Sequence, residues 1–304
     1  MRLLLLIIPV ITSLLLGGSV SIAHADTLSV TPPKFELFGA PGDTINEKLK
    51  VRNDNLAAVT YTSDAADFTA SDDAGGVNII DDPAAKRTTY SLASWVTISP
   101  KKFTVQSAGE QIVNISIKIP KDGEPGGHYA TVQINFAGSA VAGGGASVVT
   151  KLDSLILLRV AGNLKENLAV DTFNTSDNYY KNGPIDFNLR AKNSGNVHVA
   201  PTGTIIINDT FGHKVKELDL ASANVLPGAA RVLTTTWSDT NMIGHYTATM
   251  VATYGQSKQA LTATTSFYVI PSWLLYLVGV TVFVLFLLIT QRKAVRRAIH
   301  NLTS

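Results

Sequence analysis

A strict alternation fixes most of what this chain is able to become. Ile185, Phe187, Leu189 and Ala191 alternate with Asp186, Asn188, Arg190 and Lys192, and the run ends at Asn193. Apolar residues at every second position put one face of an extended chain in a core and the other in water, the period of a half-buried β-strand. Val113, Ile115, Ile117 and Ile119 alternate with Asn114, Ser116 and Lys118 in the same way. Ile45, Leu49 and Val51 do so less cleanly, because Glu47 falls on the apolar side. The pattern is also used twice. Leu49-Lys50-Val51-Arg52-Asn53 is followed by Gly127-His128-Tyr129, and Leu189-Arg190-Ala191-Lys192-Asn193 by Gly244-His245-Tyr246. The spacing from Asn to His is 75 residues in the first copy and 52 in the second. One β-module with loops of different length predicts both. After Gly-His-Tyr the copies disagree: Ala130, Val132, Ile134 and Phe136 share a face opposite Tyr129, whereas Tyr246 shares its face with Ala248, Met250 and Ala252. A β-bulge in one copy would reconcile them.

Further strands are expected at Val59–Thr62, Trp95–Ile98, Tyr129–Phe136, Val148–Val160, Thr204–Asn208, Val232–Trp237, Thr247–Tyr254 and Leu261–Val269. Turn punctuation separates them, including Pro41-Gly42-Asp43, Ser107-Ala108-Gly109, Pro125-Gly126-Gly127 and Pro227-Gly228. Many short strands at this spacing predict an all-β chain of two tandem Ig-like antiparallel β-sandwich domains, over residues 26–163 and 164–270. The Gly-rich loop 138–147 precedes the last strand of the first, and Ala161–Glu166 is the expected joint.

The two ends read differently. Met1-Arg2, the apolar run Leu3–Leu16 and Ala23-His24-Ala25 form a secretory signal peptide over residues 1–25. Trp273–Thr290 is an 18-residue run without charge, framed by Pro271 and by Gln291-Arg292-Lys293 and Arg296-Arg297. That predicts a transmembrane helix over 271–290, with Trp273 and Tyr276 at the interface and a basic cytoplasmic tail over 291–304. The expected location is therefore the cell membrane, single-pass, with the N-terminus extracytoplasmic.

Composition narrows the function. Charged residues are 16% of the chain. Setting aside both ends leaves 20 basic against 23 acidic residues, or −3. A slightly acidic body argues against nucleic-acid binding, which needs clustered cations. Zero cysteine excludes disulfides, thiol catalysis and Cys-ligated metals. No nucleophile elbow, zinc-protease motif, phosphate loop or dinucleotide fingerprint is present. No residue is thus assigned a catalytic, cofactor-binding or metal-ligating role, and no cofactor is expected.

Several residues attract notice beside a plainer reading. His128 and His245 match between the copies, but neither has a ligand at metal spacing, and a place between turn and strand predicts solvent exposure. Tyr129 and Tyr246 are expected to tie down loops through their hydroxyls. Asp64, Asp67, Asp72, Asp73, Asp81 and Asp82 are oxygen-rich enough for Ca²⁺, yet their spacing fits no EF-hand and Gly75-Gly76 predicts a solvated insertion loop with a mobile tip. Lys34, Lys86-Arg87 and Lys101-Lys102 would form an anion-binding patch if they converged; scattered charge is the plainer reading. Trp95 and Trp237 are expected in the core. Asn114, Asn174 and Asn208 open Asn-x-Ser/Thr triplets, near chance in such a chain.

Leu28-Ser29-Val30-Thr31-Pro32, Pro41-Gly42-Asp43 and the strand ending at Asn53 resemble the start of bacterial Ig-like modules of the pilus-chaperone kind. Ser94–Pro100, Ala108-Gly109-Glu110, Val113–Pro120 and Gly126-Gly127 continue the match. Ser154–Leu164 then resembles the closing strand of the peptidoglycan-binding domain in WxL-interacting proteins, the DUF916 family. The layout of signal, two β-domains, one helix and a basic tail is similar too. The resemblance implies a membrane-anchored binding protein with no catalytic residues, its partners being peptidoglycan or a cell-surface protein, and the bilayer through the helix. An accessory subunit of a secretion or pilus-like assembly is the alternative of another class, and a carbohydrate-modifying enzyme a third.

Overall fold

The structure is a computed structural model that describes residues 28–81, 88–137 and 149–290. The signal peptide, Asp82, Lys86-Arg87, the Gly-rich loop and the basic tail lie outside the described residues. The described chain is β-sandwich throughout, followed by one helix.

The first half contains β1 (Leu28–Thr31), β2 (Lys34–Gly39), β3 (Thr44–Asn53), β4 (Val59–Ala70), β5 (Val77–Ile80), β6 (Val96–Ser99), β7 (Lys102–Val105), β8 (Glu110–Lys118), β9 (Gly126–Ala137) and β10 (Val149–Val160). One sheet runs β1-β3-β8-β6 and the other β2-β10-β9-β4-β5, with β7 on the remaining length of β4. The alternating residues close the space between them: Leu49, Val51, Ile115 and Ile117 from one sheet meet Val132, Ile134, Ile156 and Leu158 from the other, all buried. Each such side chain contributes about 1.5–3 kcal/mol by leaving water.

The second half contains β11 (Leu168–Thr175), β12 (Tyr179–Tyr180), β13 (Ile185–Asn193), β14 (Thr202–Asn208), β15 (Lys214–Asp219), β16 (Ala230–Trp237), β17 (Gly244–Tyr254) and β18 (Gln259–Val269). Its sheets run β11-β13-β16 and β12-β18-β17-β14-β15 around Phe187, Leu189, Trp237, Met250 and Phe267. Helix α1 (Ser272–Thr290) follows β18 after two residues, buries nothing, and is long and apolar enough to cross a membrane.

The purely antiparallel expectation is corrected once in each half. β2 runs parallel to β10, and β12 parallel to β18. In both, the chain leaves an edge strand of one sheet (β1 or β11) and crosses to the other, where it continues as an edge strand beside the closing strand. β12 is only two residues long, and β2 alternates over just Lys34-Phe35-Glu36-Leu37 before Phe38 breaks the period, too short a run to stand out in the sequence.

The repeat is real at its first landmark. Asn53 and Asn193 are fully buried. Asn53 Nδ2 donates to the carbonyls of Ala57 (2.8 Å) and Val105 (3.0 Å), while Asn55 N donates to Asn53 Oδ1 (3.1 Å). Asn193 Nδ2 donates to Val197 O and Val225 O, both at 2.8 Å, and Gly195 N donates back at 2.8 Å. The backbone agrees: Asn53 N donates to Gly109 O and Asn193 N to Ala229 O, each just past a residue of positive φ, Ala108 (56°) and Gly228 (76°). An amide that can neither reach water nor be replaced by an apolar group without stranding carbonyls latches each sandwich at one end.

The second landmark is corrected. β9 pairs with β10, and β17 with β18, in unbroken register, so there is no bulge. Gly126 stands opposite Val160 as Gly244 stands opposite Val269, and both have positive φ (143° and 119°). The structural partner of Tyr246 is therefore His128, one residue out of step with the Gly-His-Tyr match. That single shift explains the opposed faces. His128 takes the inward place of Tyr246 and is buried, against the expectation of exposure, with Nε2 2.9 Å from Glu124 O and Nδ1 3.2 Å from Ser91 O. Trp95, half-buried, packs on its ring at 4.4 Å, and Trp237 is fully buried.

Candidate binding site between the two halves

The residues that join the halves come from strand ends that face each other. β9 begins at Gly126, and Gly127 N donates to Asn196 O (2.8 Å), just beyond the Asn193 latch. Asn196 Nδ2 reaches back to Pro125 O (3.2 Å). Tyr129, displaced from the core by the one-residue shift, points out of its own sandwich. Its hydroxyl meets His198 Nδ1 at 3.2 Å, so it bridges the halves and does not tie down a loop of its own. Tyr246 behaves as expected: its hydroxyl donates to Ile243 O (3.1 Å) and accepts from Ile243 N (3.2 Å).

Arg159 is the only charge in the apolar run Leu155–Val160 and is held inside this joint. It donates through Nη1 to Glu166 Oε1 (2.8 Å) and through Nη2 to His198 O (3.1 Å). The other Glu166 oxygen accepts from Gln256 N (2.8 Å) in the β17–β18 turn. The pair is largely buried, so removing either partner would strand a charge. Burial, reinforced by Arg159, pushes His198 down to about 4, so it is neutral at pH 7. Burial likewise raises the Tyr129 hydroxyl well above its ordinary range. The joint is a neutral, satisfied polar cluster around one ion pair.

The Asp-rich segment overturns the expectation of a solvated loop. Asp64 and Asp67 lie within β4, and Asp67 Oδ1 accepts from Leu92 N (2.8 Å) and Ala93 N (2.7 Å). Asp72 organises the β4–β5 turn, accepting from Ala74 N (2.9 Å) and Gly76 N (3.1 Å); the Gly76 bond leads the causes that hold its carboxyl below the usual range. The turn then docks on the second half. Val232 N donates to Asp73 O (2.6 Å), and Arg190 Nε to Asp73 Oδ2 (2.8 Å). Arg190 also donates to Asp171. β16 is an edge strand, so Asp73 O occupies a donor that the sheet leaves open. Gly75 is needed at φ 91°, and a Cβ there would run into the Arg231 guanidinium. Among the described residues, no group of three or more His, Cys, Asp or Glu is placed to hold a metal.

Hairpin and joint leave a cleft of about 280 Å³ between them. Phe68, Leu155 and Leu157 of the first half and Leu226 of the second form its apolar lining, and Lys34 and Arg231 bring two cations to it. Lys34 pairs with Glu36, whose carboxyl is held low by that contact and which also accepts from Asn224 Nδ2 (2.7 Å). Arg231 Nη1 donates to Asn224 O (3.0 Å) and pairs with no carboxylate among the described residues. Lys34 does not converge with Lys102, since β2 and β7 occupy opposite edges of their sheet. The sequence missed this cleft, as its cations stand 197 positions apart.

No protein-family model matches the chain, and no match is found among curated proteins. Solved structures of similar outline exist. The Pseudomonas aeruginosa CupB2 chaperone is 8% identical with a TM-score of 0.37, the match covering 79% of this chain and 100% of that one. The E. coli chaperone DraB is 11% identical at 0.36, covering 80% and 97%. A PapD-like domain of human CEP192 is 13% identical at 0.29, covering 47% and 98%. Likeness this loose assigns neither partner nor activity.

Proposed function

We propose that the chain is a membrane-anchored extracytoplasmic binding protein, two tandem Ig-like domains standing on the single-pass helix α1, and that a protein segment from another surface component docks in the cleft between them. The observation that carries this reading is the cleft itself: an apolar lining beside two cations, built from both halves, at a joint whose buried hydrogen bonds hold it open. An extended peptide fits such a groove with apolar side chains on Leu157 and Leu226 and an acidic group toward Arg231. Export and anchoring are supported by the residues at the two ends, and the layout shared with WxL-interacting proteins supports a place at the cell wall.

The test is co-sedimentation of residues 26–270 with purified cell walls, before and after proteins are stripped from them. Pelleting that is lost on stripping, and that falls at least tenfold in Lys34→Glu/Arg231→Glu, is the expected result. Pelleting that survives stripping and ignores both substitutions would move the function to peptidoglycan and away from the cleft.

A further inference from the structure

The end of the second half that faces α1 carries an apolar collar. Among the described residues outside the helix, the exposed aromatics are Phe38, Tyr179, Phe211 and Tyr268, and three of these four lie at this one end. The register puts them there. Tyr179 stands beside Tyr268, which stands beside His245, giving a row across β12, β18 and β17 with ring contacts of 5.3 and 4.7 Å. The β14–β15 turn joins them, since Asn208 pairs with Thr247 and Thr210 Oγ1 donates to His245 O (3.1 Å); that turn exposes Phe211 by 84%. Ile243, half exposed, precedes Gly244 in the same plane.

The chain leaves this end almost no freedom to stand away from a bilayer. Tyr268 N donates to Asn178 O (2.9 Å) and Ile270 N to Tyr180 O (2.7 Å), so β18 is pinned up to Ile270. Only Ile270 and Pro271 separate it from the first residue of α1, a reach of about 10 Å. If α1 spans, the collar lies in the headgroup region, where amphipathic rings are favoured and bare Phe or Ile is better placed than in water. A cleft lined by Lys181, Ile243 and Trp273 straddles sandwich and helix, with a cation beside the first turn of α1.

We infer that Tyr179, Phe211, Ile243 and Tyr268 form a membrane-contacting surface that seats the second domain on the outer lipid interface and fixes its tilt. This rests on the anchored reading above. The occupant is the lipid interface itself.

The absence of native cysteine makes the test clean. Full-length Phe211→Cys, Ile243→Cys and, as a distant control, Leu56→Cys are labelled with an environment-sensitive fluorophore and reconstituted into phosphatidylcholine–phosphatidylglycerol vesicles. All three sites are exposed, so folding is spared. Labels at 211 and 243 should shift to the blue and be quenched by shallow spin-labelled lipid at least threefold more than the label at 56. Protein that floats with the vesicles while all three labels behave alike would overturn the collar and leave the anchor standing. Protein that fails to float would overturn both.

Discussion

The two halves follow one strand plan and put its ends to different uses. In each, the Asn latch closes one end and a positive-φ glycine opens β9 or β17 at the other. The first half presses its Gly126 end onto the latch end of the second, through Gly127 and Asn196. The second half presents its Gly244 end to α1. The units are therefore stacked head to tail, and the same end of the frame that meets protein in one copy meets the collar and helix in the other. Additions differ accordingly. The first half adds β6, β7 and a β4–β5 hairpin long enough to reach β16; the second keeps its hairpin short and exposes Phe211 on it. The two halves share the frame, and they differ in their ends and hairpins.

The equivalence of the latches is open to the largest test. Asn53→Ala removes four side-chain hydrogen bonds and Asn193→Ala three, each orphaning buried carbonyls, so each should lose about 3–5 kcal/mol in urea unfolding of residues 26–270. Equal losses sustain the comparison; a difference beyond about 2 kcal/mol would break it.

Five residues past each latch the copies diverge sharply. Ala58 is exposed at the free end, while His198 is buried at the joint. His198 is held near 4 when folded and returns to about 6.5 when unfolded, so the unfolded chain binds the extra proton between those values. Stability should therefore be unaffected above pH 6.5 and fall by about 3 kcal/mol as the pH drops toward 4. That slope should flatten in His198→Asn, by thermal unfolding across the pH range; an unchanged slope would place the acid sensitivity elsewhere.

The smallest effect concerns the turn beside the latch. Where the second half has Gly228, the first holds Ala108 at φ 56°. Ala108→Gly should stabilise by under about 1 kcal/mol, the relief of left-handed strain less the entropy glycine brings to the unfolded chain. Gly228→Ala should cost a similar amount. Opposite signs measured on the two variants sharpen the equivalence, and matching signs would refute it.

Period-two alternation made β3, β8 and β13 legible, and the uncharged run made α1 legible, because each signal is local. Asn53 and Asn193 were visible as a repeated strand ending, though not as latches. The edge strands β2 and β12 stayed hidden because they are short: β2 alternates over only four residues, and β12 has two. The Gly-His-Tyr match misled by one residue, since identity in sequence and equivalence in register part company when a second glycine, Gly127, is inserted before the histidine. Two signals for the joint were available: Arg159 alone in an apolar run, and His198 between Val197 and Val199. Neither could name its partner, because Tyr129 and Glu166 meet them only through the fold.

The head-to-tail stack has a mechanical consequence. Force applied to the first half enters the second at Leu168, beside the joint, and leaves through Val269 toward α1, at the opposite end of an 11-residue strand about 36 Å long. The pull then runs along the strands and across their hydrogen bonds, which are loaded together as in a lap joint and cannot be opened one after another like a zip. A body loaded this way resists tension along its strands better than tension across them.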